Sequence, residues 1–320
     1  MPLPTASDSH VDAILTNMSV AYMQDQSNFI STQVFPVVNV AKQTDKYFTY
    51  AKADFMRDEV KKRADGAESA GAGYNLSTGT YSCDVWALHK DIGDQLRANS
   101  DDPLSPEGDA VGFLTQQALI RRERQFVTDA FTTSVWGTDV VGSTNFTKWS
   151  DQASSDPIVD IDTGRETILS NTGLEPNTLV LGYQTYRALT RHPLVKEAYK
   201  YTSSDSITTS MLDNLFELDR ILVSRAVYNS SAEGGTASYG FAAGKNALLC
   251  YVNPNPGLMQ PSACYTMNWN GLVGSSGGVR VNRYDLRGSG RPADRIEIEM
   301  AYDNKVVSTD LGYFFSAAVA

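Results

Sequence analysis

The first pattern that invites a reaction is Gly274-Ser275-Ser276-Gly277-Gly278, a match to G-x-S-x-G. That motif presents a serine nucleophile on a tight strand-to-helix turn and draws on a later histidine as base. Here Val279-Arg280-Val281-Asn282-Arg283 follows, which reads as strand, and the histidines (His10, His89, His192) all precede the serine. A flexible hairpin turn is the better reading. Three scattered histidines also make no metal triad. His192, before Pro193, is expected at a helix C-terminus, and His89 as a hydrogen-bonding surface group. The acidic pairs Asp101-Asp102 and Asp160/Asp162 sit among turn residues, where turn and cap duty comes before cation binding. Gly244-Lys245 lacks the upstream glycine of a phosphate-binding loop. Cys83, Cys250 and Cys264 show no metal or redox spacing, and an odd count excludes a full disulfide framework, so they are expected as buried free thiols. No cofactor, metal or catalytic residue is expected; a hydrolase built on Ser276 or a carboxylate pair stays as a remote alternative.

Charge narrows the partners. The chain of 320 residues carries a net charge of −10 and has a pI near 4.8. Such a surface does not grip nucleic acid over a large area, although it can enclose it. No membrane span or signal peptide is visible, so synthesis in a cytoplasm is expected. Lys61-Lys62-Arg63 stand beside Asp58-Glu59 and Asp65, which makes a mixed-charge tip: either a solvated loop or a salt-bridging contact to a neighbouring subunit. Arg121, Arg122 and Arg124 are either a solvated or ion-paired helix face or a surface toward enclosed nucleic acid.

The elements that position these residues start with a long extended excursion, 44–91. Strand-like runs open it (Lys46-Tyr47-Phe48-Thr49-Tyr50) and close it (80–88), around a charged, then Gly/Ala-rich stretch. A two-stranded arm cannot bury both faces alone and is marginal in water, so it needs a partner surface, most simply another copy of the chain. Before it, His10 begins a weak amphipathic run to Gln24, and Pro36 makes 34–40 an edge strand. After it, Ser105-Pro106-Glu107 is an N-cap, a helix-starting proline and a first-turn acid. A long helix is expected over 105–134, with Phe113, Ile120 and Val127 seven apart and Leu114, Ala118 and Phe131 widening its apolar stripe. A Gly/Ser/Asn-rich linker, 137–156, precedes a short helix over 163–171. Strand 178–182, helices 183–191, 194–201 and 206–215, and strand 220–226 then make an α/β lobe. Strands near 246–252, 279–286, 295–302 and 312–319 close the chain.

Particular runs carry a resemblance: 34–40 with Lys46-Tyr47-Phe48, Phe55-Met56-Arg57-Asp58-Glu59, Arg63-Ala64-Asp65-Gly66, Arg122-Glu123, and Tyr302-Asp303-Asn304-Lys305-Val306-Val307 with Asp310-Leu311-Gly312-Tyr313-Phe314-Phe315. In this order and spacing the chain resembles, over essentially its whole length, the major capsid proteins of tailed bacteriophages with the HK97-type fold. The resemblance implies an α+β fold with an N-terminal arm (1–43), an E-loop (44–91) lying over the adjacent subunit, and the first part of a P domain (92–155). It further implies an A domain over most of 156–265 and returning P-domain strands in 266–320. It implies a virion coat protein, made in a host bacterium, that forms pentamers and hexamers of an icosahedral head around double-stranded DNA. Its partners would be copies of itself, portal, scaffold and decoration proteins, and DNA touched weakly and without sequence preference, with no membrane. Candidate inter-subunit contacts are Arg57, Asp58, Glu59, Lys61, Lys62, Arg63, Trp86, Arg121, Arg122 and Arg124. No lysine–asparagine cross-link is assumed. The arm begins almost at Met1, so any scaffold is expected as a separate protein. Expansion of the shell would bend the chain at 137–156 or in the long helix. The alternative within the same fold is an encapsulin-like nanocompartment shell.

Overall fold

The computed structural model describes residues 23–100, 105–200, 207–253, 255, 257, 260–274 and 278–320. The amphipathic run from His10 to Tyr22, the Asp101-Asp102 pair and Ser276 lie outside them. A one-turn helix α1 (Ser31–Val34) leads past Pro36 into strand β1 (Val37–Val40), which lies on a sheet edge as the proline predicts. Strands β2 (Thr44–Tyr50) and β3 (Leu76–Ser82) form a separate antiparallel ribbon, and helix α2 (Lys52–Phe55) opens their long connection. Tyr47 faces Gly79 across this ribbon, and a Cβ at Gly79 would stand 2.4 Å from the tyrosine ring, so the glycine makes room for it.

The returning run expected over 80–88 is not one strand. At buried Cys83 the chain leaves the ribbon, and β4 (Asp84–Gly93) pairs with a C-terminal strand instead. Period-two alternation runs through Cys83 unbroken, so the change of partner left no mark in the pattern. Helix α3 (Asp94–Asn99) precedes the long helix α4 (Pro106–Ala130). Ser105 caps α4 by accepting from the Gly108 amide at 3.3 Å. The helix, about 37 Å long at 1.5 Å per residue, stops at Ala130 rather than Ser134. There the Trp136 indole donates to the Ala130 carbonyl at 2.7 Å and the chain turns. Its buried line is Ala110, Leu114, Ala118, Arg122, Phe126 and Ala130, four apart, whereas Phe113 of the expected stripe is 48% exposed.

The 137–156 stretch is no loose linker. It contains β5 (Thr138–Val141), and the fully buried Trp149 donates through its amide to the Ala318 carbonyl and through its indole to Asp160, both at 2.8 Å. Helix α5 (Pro157–Thr172) starts six residues before the expected position, because Asp156 caps the Ile158 and Val159 amides. Asp160 and Asp162 therefore lie on a helix, not in a turn. Gly173, at φ +70°, ends it in the left-handed region that glycine tolerates. The lobe continues with β6 (Thr178–Gly182), α6 (Tyr183–Arg191), α7 (Pro193–Tyr199), α8 (Thr209–Leu215), β7 (Arg220–Ser224), the hairpin β8 (Val227–Asn229) and β9 (Tyr239–Phe241), and β10 (Ala247–Cys250). The chain closes with β11 (Cys264–Trp269), α9 (Asn270–Val273), β12 (Val279–Asp285), β13 (Ala293–Val306) and β14 (Gly312–Ser316).

Two sheets result. One has the order β5-β14-β10-β6-β7, with β6 and β10 buried along their whole length. The other is built on β13, whose first part lies between β4 and β12 and whose last part pairs with β11, with β1 at the edge. Ile296, Ile298 and Met300 of β13 pack with Ile92 against Ala110, Leu114 and Ala118 of α4. The helix thus backs one sheet while its end, at Phe126 and Ala130, enters the core of the other.

Candidate functional site

The β2–β3 ribbon is the part of the described chain with the least of its own to hold it. Tyr50, Phe55 and Tyr74 stack at centroid distances of 5.6–5.9 Å, yet Phe48, Phe55 and Tyr74 stay more than half exposed. Beneath the ribbon runs a largely apolar groove of about 730 Å³, lined by Tyr47, Phe48 and Met56 on the arm side and Leu174, Tyr265 and Leu311 on the body side. Asp54 fixes the start of the loop by accepting from the backbone and side-chain nitrogens of Asn75, at 2.8 and 2.9 Å. An ion pair between Lys52 and Asp310 ties the arm to the body.

Beyond that root the tip is bare. Arg57 pairs with Glu59 at 3.0 Å and Asp54 at 3.6 Å. Asp58, Lys61, Lys62 and Arg63 are exposed and make no ion pair or hydrogen bond among the described residues. The other candidates are engaged inside the chain. The Arg121 guanidinium lies 3.7 Å from the Trp86 ring centroid, Arg124 4.6 Å from that of Tyr228, and buried Arg122 5.3 Å from that of Tyr302. Cation–π contacts of this kind tie the arginines to aromatic rings of their own chain, while Arg124 stays exposed. The fold thus brings Arg57 to Arg63 together at one tip and leaves Trp86 and the spine arginines elsewhere.

Two charged groupings escaped the sequence reading because one member of each, Asn304 and Arg97, stands far from the rest in the chain. Arg121 donates to Gln125 (2.8 Å), Gln125 to Asp129 (2.9 Å), and Asn304 of β13 to the same carboxylate (3.0 Å); burial pushes the Asp129 pKa up. At the far end of β13, Asp294 accepts from Arg283 (2.6 Å), Arg97 (2.7 Å) and Arg287 (2.9 Å). These charge-assisted bonds, that of Arg283 foremost, hold its carboxyl down to about 2. The signal available was only the arginine density of 280–295.

For the hydrolase alternative, the nearest thing to a nucleophile and base is Ser155 and His192, with Oγ 3.0 Å from Nε2. Both are buried, and Ser155 donates to the Asp151 carbonyl, so the imidazole serves as a core hydrogen-bond donor where α6 ends. Burial pushes the His192 pKa down. His89 is exposed on β4 but its side chain makes no hydrogen bond among the described residues, whereas the three cysteines are buried thiols, as expected. Burial raises Cys83 to about 11 and Cys250 to about 12. Among the described residues no cluster of potential metal ligands occurs, and no helix is long and apolar enough to cross a membrane.

Comparison with known proteins supplies the rest. The family described as "Phage major capsid protein E" matches residues 135–249, from β5 through β10. The major capsid protein of Burkholderia phage BcepMu is 28% identical over 266 residues, 82% of this chain and 84% of that one. A phage-related protein of Bordetella bronchiseptica is 27% identical, with a TM-score of 0.67 over 96% of this chain and 97% of that one. The capsid of cyanophage P-SCSP1u shares the fold at 12% identity and TM-score 0.63, over 98% and 94% of the two chains. An encapsulin from Synechococcus elongatus does so at 12% and 0.58, over 99% and 96%. Fold alone therefore does not separate head from nanocompartment, but the relatives that retain 27–28% identity over most of the chain are phage proteins, and this chain is similar to phage major capsid proteins in sequence and has their HK97-type fold.

Proposed function

We propose that this coat protein assembles into pentamers and hexamers of an icosahedral head that encloses double-stranded DNA. The observation that carries the reading is the ribbon at 44–82: a two-stranded arm with an exposed apolar face and a bare charged tip needs a surface that the described residues of its own chain do not supply. In this reading 44–91 is the E-loop, 1–43 the N-terminal arm, 92–155 the start of the P domain with α4 as its spine, 156–265 mainly the A domain, and 266–320 the returning P-domain strands. Arg57, Asp58, Glu59, Lys61, Lys62 and Arg63 are the contact residues toward a neighbouring copy. The net charge of −10 fits a lining that lets packed DNA slide. Portal, scaffold and decoration proteins are the further partners, the host cytoplasm is the place of synthesis, and the role is structural rather than catalytic. Sharing the arm over many copies makes individually weak contacts sufficient through multivalency.

The test is light scattering after size-exclusion chromatography, with negative-stain microscopy, on the full-length chain. Rings of five or six subunits or closed shells support the proposal. A chain still monomeric at high concentration, with or without a scaffold protein, overturns it.

A further inference from the structure

Segment 29–35 is wedged between the two sheets, with Phe29, Ile30, Ser31, Val34 and Phe35 all buried. Beside the bonds of Arg220 to the Gln33 carbonyl and Cys264 to the Val34 carbonyl, its start is held by one fully buried carboxylate on the long helix. Glu123 accepts from the amides of Ile30 and Ser31 with one oxygen, both at 3.0 Å, and from the Ser224 hydroxyl at the end of β7 with the other, at 2.7 Å. Three elements from different parts of the fold (α4, α1 and β7) thus meet on a single side chain. We infer that Glu123 is a pin that locks the long helix and its sheet to the edge of the α/β sheet through segment 29–35, and that losing it frees this junction while leaving both sheets folded.

The surroundings make the pin adjustable. Segment 29–36 contains no titratable residue. On the same helix Arg122 lies over Tyr302 and Arg124 over Tyr228; on β7, Arg220 donates to Thr178 and to the Gln33 carbonyl, and Arg225 follows the strand. The donors that hold the carboxyl are therefore neutral. Burial pushes its pKa up against the pull of those three donors. A folded-state value above the unfolded one means that the grip is fullest at low pH, with the group protonated, and slackens as pH rises through the folded value. The same contact that fixes the junction can therefore loosen it without any change of sequence.

Hydrogen–deuterium exchange on the full-length protein, corrected for intrinsic exchange rates from pH 5 to 8, tests this. In Glu123→Ala the Ile30 and Ser31 amides and the peptide 220–226 are expected to lose protection by about tenfold or more, while β10 (247–250) keeps its own. In the natural chain protection at 30–31 declines as pH rises; in Glu123→Gln it is flat. Even loss of protection across β10 as well, no loss at 30–31, or a pH dependence that survives in Glu123→Gln overturns the proposal. Should Glu123→Ala fail to fold, Ser224→Ala removes one donor only. A local loss of protection in that variant supports the pin, and unchanged protection at 30–31 and 220–226 overturns it.

Discussion

The β2–β3 ribbon and the α/β sheet are made of similar residues and are held in opposite ways. In the sheet, β6 and β10 bury every side chain, and Phe314 and Phe315 of β14 sit fully inside, in ring contact with Phe131, Phe146 and Trp149. In the ribbon, β3 buries one residue of seven, Tyr81, and Phe48, Phe55 and Tyr74 of the arm stay at the surface. Aromatic content alone therefore says nothing about whether a segment stabilises its own chain. What decides is whether the second face of a strand has something to lie on, and for much of the ribbon the described residues offer no such surface beyond the groove at its root.

The contrast is broken most forcefully inside the sheet. Replacing Phe314 with alanine opens a cavity among Phe131 and its neighbours, and is expected to cost about 3–5 kcal/mol in denaturant unfolding of the unassembled chain. Reversing the arm tip, with Lys61, Lys62 and Arg63 all replaced by glutamate, is expected to change that same unfolding free energy by no more than about 0.5 kcal/mol while suppressing assembly seen by light scattering. If the tip variant loses as much stability as Phe314→Ala, the arm belongs to the body and the distinction fails. If it assembles normally, the charges at the tip are simply solvated.

The sheet on β13 sharpens the comparison through charge instead of packing. Asp294 is buried among Arg97, Arg283 and Arg287, and its carboxyl is held down to about 2. A depressed folded-state value means that its contribution is present above the unfolded value, about 3.9, and fades as pH falls from there toward 2. Acid unfolding followed by circular dichroism should therefore be steeper in the natural chain than in Asp294→Asn across that window. Equal slopes would show that the three arginines find other carboxylates, such as Glu107 and Asp94, when this one is neutral.

How much of this was legible follows from where each signal lies. The long helix, β6, α6 and β7 announce themselves through caps, prolines and periodic apolar residues, all local features. The break at Cys83 was hidden because both halves of the run alternate alike, and only their partners, β2 and β13, differ. The apolar stripe on the long helix was found at Leu114 and Ala118 but drawn too far round at Phe113, because a phenylalanine looks like core, whereas the helix meets β13 through Ala110, Leu114 and Ala118. Trp149 gave no hint that its glycine-rich stretch was fastened, since Ala318 and Asp160 stand in other elements. The arm tip was readable because bareness is a property of composition. Glu123 was not, because its partners stand roughly a hundred positions away, and Asp294 was only half readable, since Arg283 and Arg287 are near in sequence but Arg97 is about two hundred positions away.

The smallest effect belongs to the ion pair that, among the described residues, fastens the ribbon to its own body. Lys52 and Asp310 are both partly exposed, so solvent and salt screen their attraction, and the pair is expected to contribute less than about 1 kcal/mol. Lys52→Ala should thus leave global unfolding almost unchanged. Its consequence is positional: without the tie, the aromatic cluster of Tyr50, Phe55 and Tyr74 can lift from the groove that ends at Leu311. Proteolysis within 56–75 should become faster in the unassembled chain and stay as slow as before once neighbouring copies cover the arm. Equal cleavage rates in the unassembled natural and variant chains would mean that the apolar contacts of Tyr47, Tyr265 and Met267 seat the ribbon by themselves, and that its root already belongs to the body while only the tip waits for a partner.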